Sequence, residues 1–133
     1  MSVGKVIWLT GMSGAGKTTI TCNAIPAIER LGVSVSHIDG DDVRENYGKN
    51  LGFSHTDIMI NNQTVVSMVD NLRKLSELVL ITVIGPLKAG RQLAKEAFAP
   101  DYAEVYVVAR LSTLERRDTK GLYSRLARGE IDN

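Results

Sequence analysis

The residues best suited to chemistry lie near the start of the chain, in the segment Gly11-Met12-Ser13-Gly14-Ala15-Gly16-Lys17-Thr18. This segment matches the phosphate-binding pattern Gly-x4-Gly-Lys-Ser/Thr at every fixed position. Glycines allow a backbone to turn its N–H groups around a phosphate, and the N-terminus of a following helix favours negative charge. We therefore expect Lys17 to reach the β- and γ-phosphates of a nucleotide and the Thr18 hydroxyl to bind Mg²⁺.

A second polar cluster, Asp39-Gly40-Asp41-Asp42-Val43-Arg44, follows the second predicted strand. In open parallel sheets, ligands bind beyond the carboxyl ends of the strands, so this cluster is expected on the same edge as the phosphate loop. Carboxylates beside a nucleoside triphosphate can hold Mg²⁺ or accept a proton from an acceptor hydroxyl. The alternative is a solvated acidic turn in which an aspartate caps a helix.

The elements that must position these residues alternate between strand and helix. Strands are predicted at about 5–9, 33–38, 78–84 and 104–108, and helices at about 17–31, 39–47, 56–75, 89–98 and 113–128. This alternation predicts a single α/β domain over residues 1–133, with a parallel sheet of the P-loop NTPase type and helices on both faces. The strand at 78–84 is nearly all apolar, as expected for a central parallel strand.

Composition narrows the classes of function. Sixteen basic residues against fifteen acidic ones give a net charge of +1, which argues against a nucleic-acid partner. The longest apolar run, at 78–84, is too short to span a membrane. Cys22 is the single cysteine, which favours a reducing, cytoplasmic setting, and it is expected to be a small buried residue. His37 and His55 are not spaced with other ligands, so Mg²⁺ is the one metal expected.

Further motifs follow along the chain. They are Leu51-Gly52-Phe53-Ser54, Ile84-Gly85-Pro86, Gly90-Arg91-Gln92, Arg117-Asp118-Thr119-Lys120-Gly121-Leu122-Tyr123 and Ala127-Arg128-Gly129-Glu130-Ile131. With the cluster at 39–44, they resemble the adenylylsulfate (APS) kinase family over essentially the whole chain. The resemblance implies a kinase that transfers the γ-phosphoryl group of ATP to the 3′-hydroxyl of APS, giving 3′-phosphoadenylylsulfate (PAPS) and ADP. ATP and Mg²⁺ would be its cofactors.

The resemblance also implies a nucleotide site. Its residues would be Gly11, Ser13, Gly14, Ala15, Gly16, Lys17, Thr18, Thr19 and Arg117, the last placed towards the ATP base. Thr18 and Asp39 would organise Mg²⁺. The catalytic residues would be Lys17, Asp39, Asp41 and Lys120, with Asp41 as the general base for the acceptor hydroxyl.

An acceptor site is implied in the same way. Arg44 would hold the phosphosulfate, Phe53 would stack on the adenine and Asn61 would contact the acceptor. The backbone at Ile84 would line this site, and Lys120 and Leu122 would belong to a lid. Without the resemblance, Phe53 reads equally well as a core residue, Asn61 as a surface residue, and Lys120 and Arg117 as solvated charges.

The chain departs from the family pattern at several positions. Ile58 stands where the family has an arginine that grips the acceptor anion, Gly85 replaces a serine, and Asp42 replaces an asparagine. The family continues beyond the position of Asn133, so its final strand is expected to be missing here. Two rivals therefore stay open: a related kinase acting on another small nucleotide or phosphorylated metabolite, and a nucleotide-binding module without an acceptor. A small-molecule partner is expected, and a homodimer is left open.

Overall fold

A computed structural model describes residues 2–118 and 121–130. In this part of the chain, one parallel sheet contains β1 (Lys5–Thr10), β2 (Val35–Asp39), β3 (Leu78–Val83) and β4 (Tyr102–Tyr106), in the order β2-β3-β1-β4. The helices are α1 (Lys17–Glu29), α2 (Gly40–Tyr47), α3 (His55–Leu72), α4 (Lys88–Phe98), α5 (Leu111–Arg117) and α6 (Leu122–Ala127). The predicted α/β fold with a parallel sheet is confirmed.

The two central strands carry the hydrophobic core. Trp8 of β1 and Ile81 of β3 are paired in register and fully buried. Against them pack Val65 and Val69 of α3 and Phe98 of α4. Helix α1 contacts β2 and β3. Because a central parallel strand is covered on both faces, it consists mainly of apolar residues, and this is why β1 and β3 were the easiest strands to predict.

Several predicted boundaries need correction. Strand β4 begins at Tyr102, two residues earlier than predicted, and the Tyr102 ring packs 6.4 Å from the Trp8 ring, centroid to centroid. The predicted helix at 113–128 is two helices, because Asp118 adopts a left-handed φ of 30° after α5. Cys22 is exposed rather than buried. It lies on α1, where Lys17 and Thr21 are the buried residues among those described.

The strand order brings the chemistry-bearing segments together. The phosphate loop follows β1, Asp39 ends β2, and Ile84 follows β3, and these three strands are neighbours in the sheet. Because parallel strands end at the same edge, all three segments meet there. Within residues 2–118 and 121–130, no helix is both long and apolar enough to cross a membrane.

Candidate active site

The phosphate loop wraps around the side chain of Lys17. The Lys17 ammonium donates hydrogen bonds to the carbonyl oxygens of Gly11 and Met12, and the residue is only 9% exposed. Gly11 has a φ of 150°, and a Cβ atom on it would lie 2.3 Å from the Val107 carbonyl oxygen, so only glycine fits. Gly16, with a φ of 112°, then starts α1. The loop therefore surrounds its lysine at a helix N-terminus, the geometry that binds phosphates.

A cavity of about 460 Å³ opens in front of this loop, and we call it the phosphate-loop cavity. It is lined by loop residues 13–19, by Asp39 and Asp41 from the end of β2 and the start of α2, and by Arg117 of α5. The predicted nucleotide residues Ser13, Gly14, Ala15, Gly16, Lys17, Thr18, Thr19 and Arg117 are thus brought together. Gly11 contributes its carbonyl oxygen to Lys17.

Thr18 and Asp39 form a pair suited to Mg²⁺. The Thr18 hydroxyl lies 3.4 Å from Oδ2 of Asp39, and Oδ1 of Asp39 accepts a hydrogen bond from the Asp41 amide at 2.9 Å. The described residues contain no group of three His, Cys, Asp or Glu side chains that could hold a metal. One carboxylate and one hydroxyl beside a phosphate site fit Mg²⁺, which takes few protein ligands and completes its shell with phosphates and water.

His37 lies on β2, two residues before Asp39. Its Nε2 is 3.0 Å from the Thr82 hydroxyl. Burial lowers the pKa of His37 below its ordinary value, and the negative charges of Asp39 and Asp42 oppose that shift in part. Burial therefore favours the neutral form of the imidazole.

A second cavity, also of about 460 Å³, lies beside the first, and we call it the second cavity. Asp41 and Ile84 line both cavities. The Ile84 carbonyl oxygen accepts a hydrogen bond from the Gly11 amide at 3.2 Å, which ties this wall to the phosphate loop. A carboxylate placed between two cavities can act on a group that passes from one to the other.

Arg44 and Phe53 form one side of the second cavity. The Arg44 guanidinium lies over the Phe53 ring, with Cζ 4.9 Å from the centroid, and its Nη1 donates to the carbonyl oxygens of Leu51 and Gly52 at 3.2 and 2.6 Å. Phe53 is 51% exposed, which excludes the alternative that it is a core residue. The pair therefore supplies an aromatic ring and a positive charge to the lining of the cavity.

The remaining acceptor predictions have mixed outcomes. Asn61 and Ile58 both line the second cavity, and the Asn61 amide nitrogen lies 3.5 Å from the Gly40 carbonyl oxygen. Lys120 lies outside the described residues, and so does the side chain of Leu122. Arg117 lines the phosphate-loop cavity, but its Nη1 donates to the Gly14 carbonyl oxygen at 2.7 Å, a contact that the sequence did not predict.

Three further residues were missed or left unexplained. His55 lines the second cavity, and its place directly after Leu-Gly-Phe-Ser was the available signal. The Tyr123 hydroxyl donates to the Ser13 carbonyl oxygen at 2.7 Å. Gly85 has a φ of 62°, and a Cβ atom there would lie 2.7 Å from Cγ2 of Thr10. Both the positive φ and this crowding favour glycine at position 85 in this structure.

The chain is similar to a family of known proteins. Residues 3–133 match the family model described as adenylylsulphate kinase. An adenylyl-sulfate kinase of Synechococcus sp. (strain JA-3-3Ab) is 38% identical over 128 residues, 96% of this chain and 72% of that protein. A probable adenylyl-sulfate kinase of Archaeoglobus fulgidus is 40% identical over 126 residues, 95% of this chain and 81% of that protein.

A solved structure gives the same result in three dimensions. The APS kinase of Mycobacterium tuberculosis in complex with AMPPNP and APS has a TM-score of 0.91 with this chain at 35% sequence identity. The match covers 99% of this chain and 78% of that one. Fold and sequence therefore point to the same family.

Proposed function

This chain belongs to the adenylylsulfate kinase family, and we propose that it transfers the γ-phosphoryl group of ATP to the 3′-hydroxyl of APS, giving PAPS and ADP. The observation that carries this proposal is the wall formed by Asp41, Val83 and Ile84, which is shared by the phosphate-loop cavity and the second cavity. A phosphoryl group passing between two substrates needs donor and acceptor sites that meet at one point. Asp41, which lines both cavities, is our candidate for the residue that acts at that point.

We propose the following chemistry for the donor side. The phosphate loop and Lys17 bind the triphosphate, and Lys17 neutralises charge on the transferring group. Thr18 and Asp39 would hold Mg²⁺, which would supply charge neutralisation for the transferring phosphoryl group. Arg117 lines the same cavity and adds a positive charge at its rim. Catalysis is mainly positioning and electrostatic stabilisation, as in other phosphoryl transfers.

On the acceptor side, Asp41 accepts the proton of the 3′-hydroxyl. The 3′-oxygen then forms a bond to the γ-phosphorus while the bond from that phosphorus to the bridging β–γ oxygen breaks, and ADP leaves with the bond electrons. Phe53 offers its exposed ring to the adenine, and the Arg44 guanidinium behind it supplies positive charge for the phosphosulfate. Asn61 and the backbone at Ile84 complete the wall.

A related kinase with a different acceptor is the second candidate, and one observation favours it. Ile58 lines the second cavity at the position where the family pattern has an arginine, so this cavity lacks one positive charge for an anionic acceptor. A nucleotide-binding module without an acceptor is less well supported. Such a module has no use for an exposed aromatic ring, an arginine and a carboxylate gathered in a cavity beside its phosphate site.

A coupled ADP-release assay separates the candidates. The protein with MgATP is expected to release ADP at a low background rate, and APS is expected to raise that rate strongly while PAPS appears by mass spectrometry. Adenosine 5′-monophosphate, which has the same adenosine without the sulfate, serves as the matched acceptor control. Stimulation by another phosphorylated metabolite but not by APS would establish the second candidate. A rate of ADP release that no acceptor changes would establish the nucleotide-binding module without an acceptor.

A further inference from the structure

The two helices that follow β4 hold the backbone of the phosphate loop by side-chain hydrogen bonds. The Tyr123 hydroxyl of α6 donates to the Ser13 carbonyl oxygen, and Arg117 of α5 donates to the Gly14 carbonyl oxygen, both at 2.7 Å. Leu114 of α5 is buried beside the loop, and a Cβ atom placed on Gly14 would lie 3.9 Å from its side chain. Two adjacent carbonyl groups of the loop are therefore held by side chains more than a hundred positions away.

Tyr123 is itself held firmly at the start of its helix. Asp118, at the end of α5, accepts hydrogen bonds from the backbone amides of Tyr123 and Ser124 at 3.0 and 3.2 Å, and from the Ser124 hydroxyl. Burial, followed by the charges of Asp118 and Glu115, raises the pKa of Tyr123 above its ordinary value of 10.0. The phenol therefore keeps its proton at physiological pH and acts as a donor towards Ser13.

The hydrogen bond from Tyr123 to the Ser13 carbonyl oxygen also determines the direction of the Gly14 N–H, because both groups belong to one peptide bond. The Ser13 carbonyl and the Gly14 N–H belong to one trans peptide unit and point in opposite directions. Holding the carbonyl oxygen towards Tyr123 therefore turns the Gly14 N–H away from α6. The next amide, that of Ala15, donates to the Met12 carbonyl oxygen at 3.1 Å within the loop. Ser13 and Gly14 both line the phosphate-loop cavity.

We propose that Tyr123 is a positioning residue for the donor nucleotide: by holding the Ser13 carbonyl, it fixes the peptide plane that presents the Gly14 N–H to a phosphate of ATP. The proposal rests on the proposed function for the identity of the donor. Gly14, with a φ of 84°, allows this peptide plane to rotate easily, so an external hydrogen bond is needed to choose one orientation. Tyr123 does not touch the reacting atoms and acts through the loop.

The test removes one oxygen atom. Tyr123→Phe is compared with wild type and with Tyr47→Phe, a matched control at an exposed tyrosine of α2. Calorimetry measures binding of AMPPNP with Mg²⁺, and separate titrations measure APS alone. Loss of one neutral hydrogen bond is expected to weaken AMPPNP binding about five-fold and to raise the ATP KM similarly, with kcat and APS affinity nearly unchanged. The Gly14 amide resonance, followed by ¹⁵N-edited NMR, is expected to shift less on AMPPNP addition than in wild type.

Other results would overturn the proposal. AMPPNP affinity and the Gly14 shift equal to wild type, together with a lowered Tm, would assign Tyr123 a purely structural role. Asp118→Asn, which loosens the start of α6 without removing the hydroxyl, serves as the second variant if Tyr123→Phe fails to fold, and the same selective loss of AMPPNP affinity is expected. Wild-type protein that binds AMPPNP but does not turn over APS would contradict the proposed function. The effect of Tyr123→Phe on AMPPNP affinity could still be measured in that case.

Discussion

The backbone amide of Asp41 donates a hydrogen bond to Oδ1 of Asp39 at 2.9 Å, while Oδ2 of the same Asp39 lies 3.4 Å from the Thr18 hydroxyl. One carboxylate therefore caps α2 and faces the phosphate loop at the same time. Because this cap fixes the first turn of α2, it also fixes where Asp41 stands between the two cavities. The two aspartates thereby take different places, Asp39 beside Thr18 and Asp41 in the lining of both cavities.

Asp41→Asn tests the proposed division of tasks. Asparagine keeps the shape of the side chain but cannot take the acceptor proton, so we expect kcat to fall by ~10²-fold or more with little change in AMPPNP affinity. Asp42→Asn is the matched control, since Asp42 is an exposed residue of the same helix and the family pattern has asparagine there. Steady-state kinetics and calorimetry give the answer. A kcat within a few-fold of wild type, with collapsed nucleotide binding, would make Asp41 a metal ligand instead.

Lys17→Ala tests the phosphate loop. Lys17 is nearly buried among loop carbonyls and is placed to neutralise the transferring phosphoryl group, so we expect phosphoryl transfer to be almost abolished. Circular dichroism is expected to show an intact fold. Lys95→Ala, at an exposed lysine of α4, removes the same charge away from the site and is expected to keep wild-type activity. Normal turnover by a folded Lys17→Ala protein would contradict the assignment of the loop.

The parts of the molecule that the sequence predicted well are those set by local pattern. The apolar runs of β1 and β3 reflect burial on both faces, and the spacing of the phosphate loop reflects backbone constraints within eight residues. Strand β4 was misplaced by two residues because it lies at the sheet edge, where its side chains are mostly exposed and carry no clear pattern. Its start depends on the packing of Tyr102 against Trp8, a contact between distant segments.

The parts of the site that the sequence did not predict depend on such distant contacts. The stacking of Arg44 on Phe53 and the bond from Tyr123 to Ser13 require knowledge of how separate elements meet. The exposure of Cys22 could not be predicted either, because a helix in this fold buries only the stripe that meets the sheet. The family resemblance predicted that Asp41, Arg44, Phe53 and Asn61 gather, and the structure places them around the second cavity.

Gly85→Ala tests the reason for glycine in the wall beside the second cavity. Alanine at a φ of 62° is strained, and its Cβ would lie 2.7 Å from Cγ2 of the buried Thr10, so we expect a loss of about 1–3 kcal/mol in the free energy of unfolding. Gly32→Ala is the matched control, because Gly32 has a φ of 84° with nothing within 4 Å of a Cβ. Urea titration compares the two. Equal losses would show that the Thr10 contact costs nothing.

His37 predicts a dependence of stability on pH. Burial lowers the pKa of His37 in the folded protein, so between that value and its ordinary 6.5 the unfolded chain binds more protons. The free energy of unfolding should therefore decrease as the pH falls through 6.5 towards the pKa of His37 in the folded protein. Above pH 6.5, the contribution of His37 to this free energy should be fully present. His37→Asn removes this titration, so we expect a flatter profile of Tm between pH 7.5 and 5.5. Parallel profiles for the two proteins would contradict the assignment.

Ile58 stands at the position where the family pattern has an arginine. It lines the second cavity, whose described lining residues include the cationic Arg44 and the anionic Asp41. Nη1 of Arg44 is already bonded to two backbone carbonyl oxygens. An anionic acceptor therefore meets less positive charge here than it would in a site with a second arginine, and we expect APS to bind more weakly than in such a site.

Ile58→Arg is expected to tighten APS binding by roughly tenfold, the equivalent of one charge-assisted contact of about 1.4 kcal/mol. The titration is made in the presence of AMPPNP and Mg²⁺, so that no turnover occurs. Ile60→Arg is the matched control, because it adds the same charge to an exposed position of α3 that does not line the cavity. A gain in the Ile58 variant alone supports a site for APS. Absence of APS binding by both wild type and Ile58→Arg would favour a different acceptor. Equal gains in Ile58→Arg and Ile60→Arg would show that the added charge acts at long range and not through a contact in the cavity.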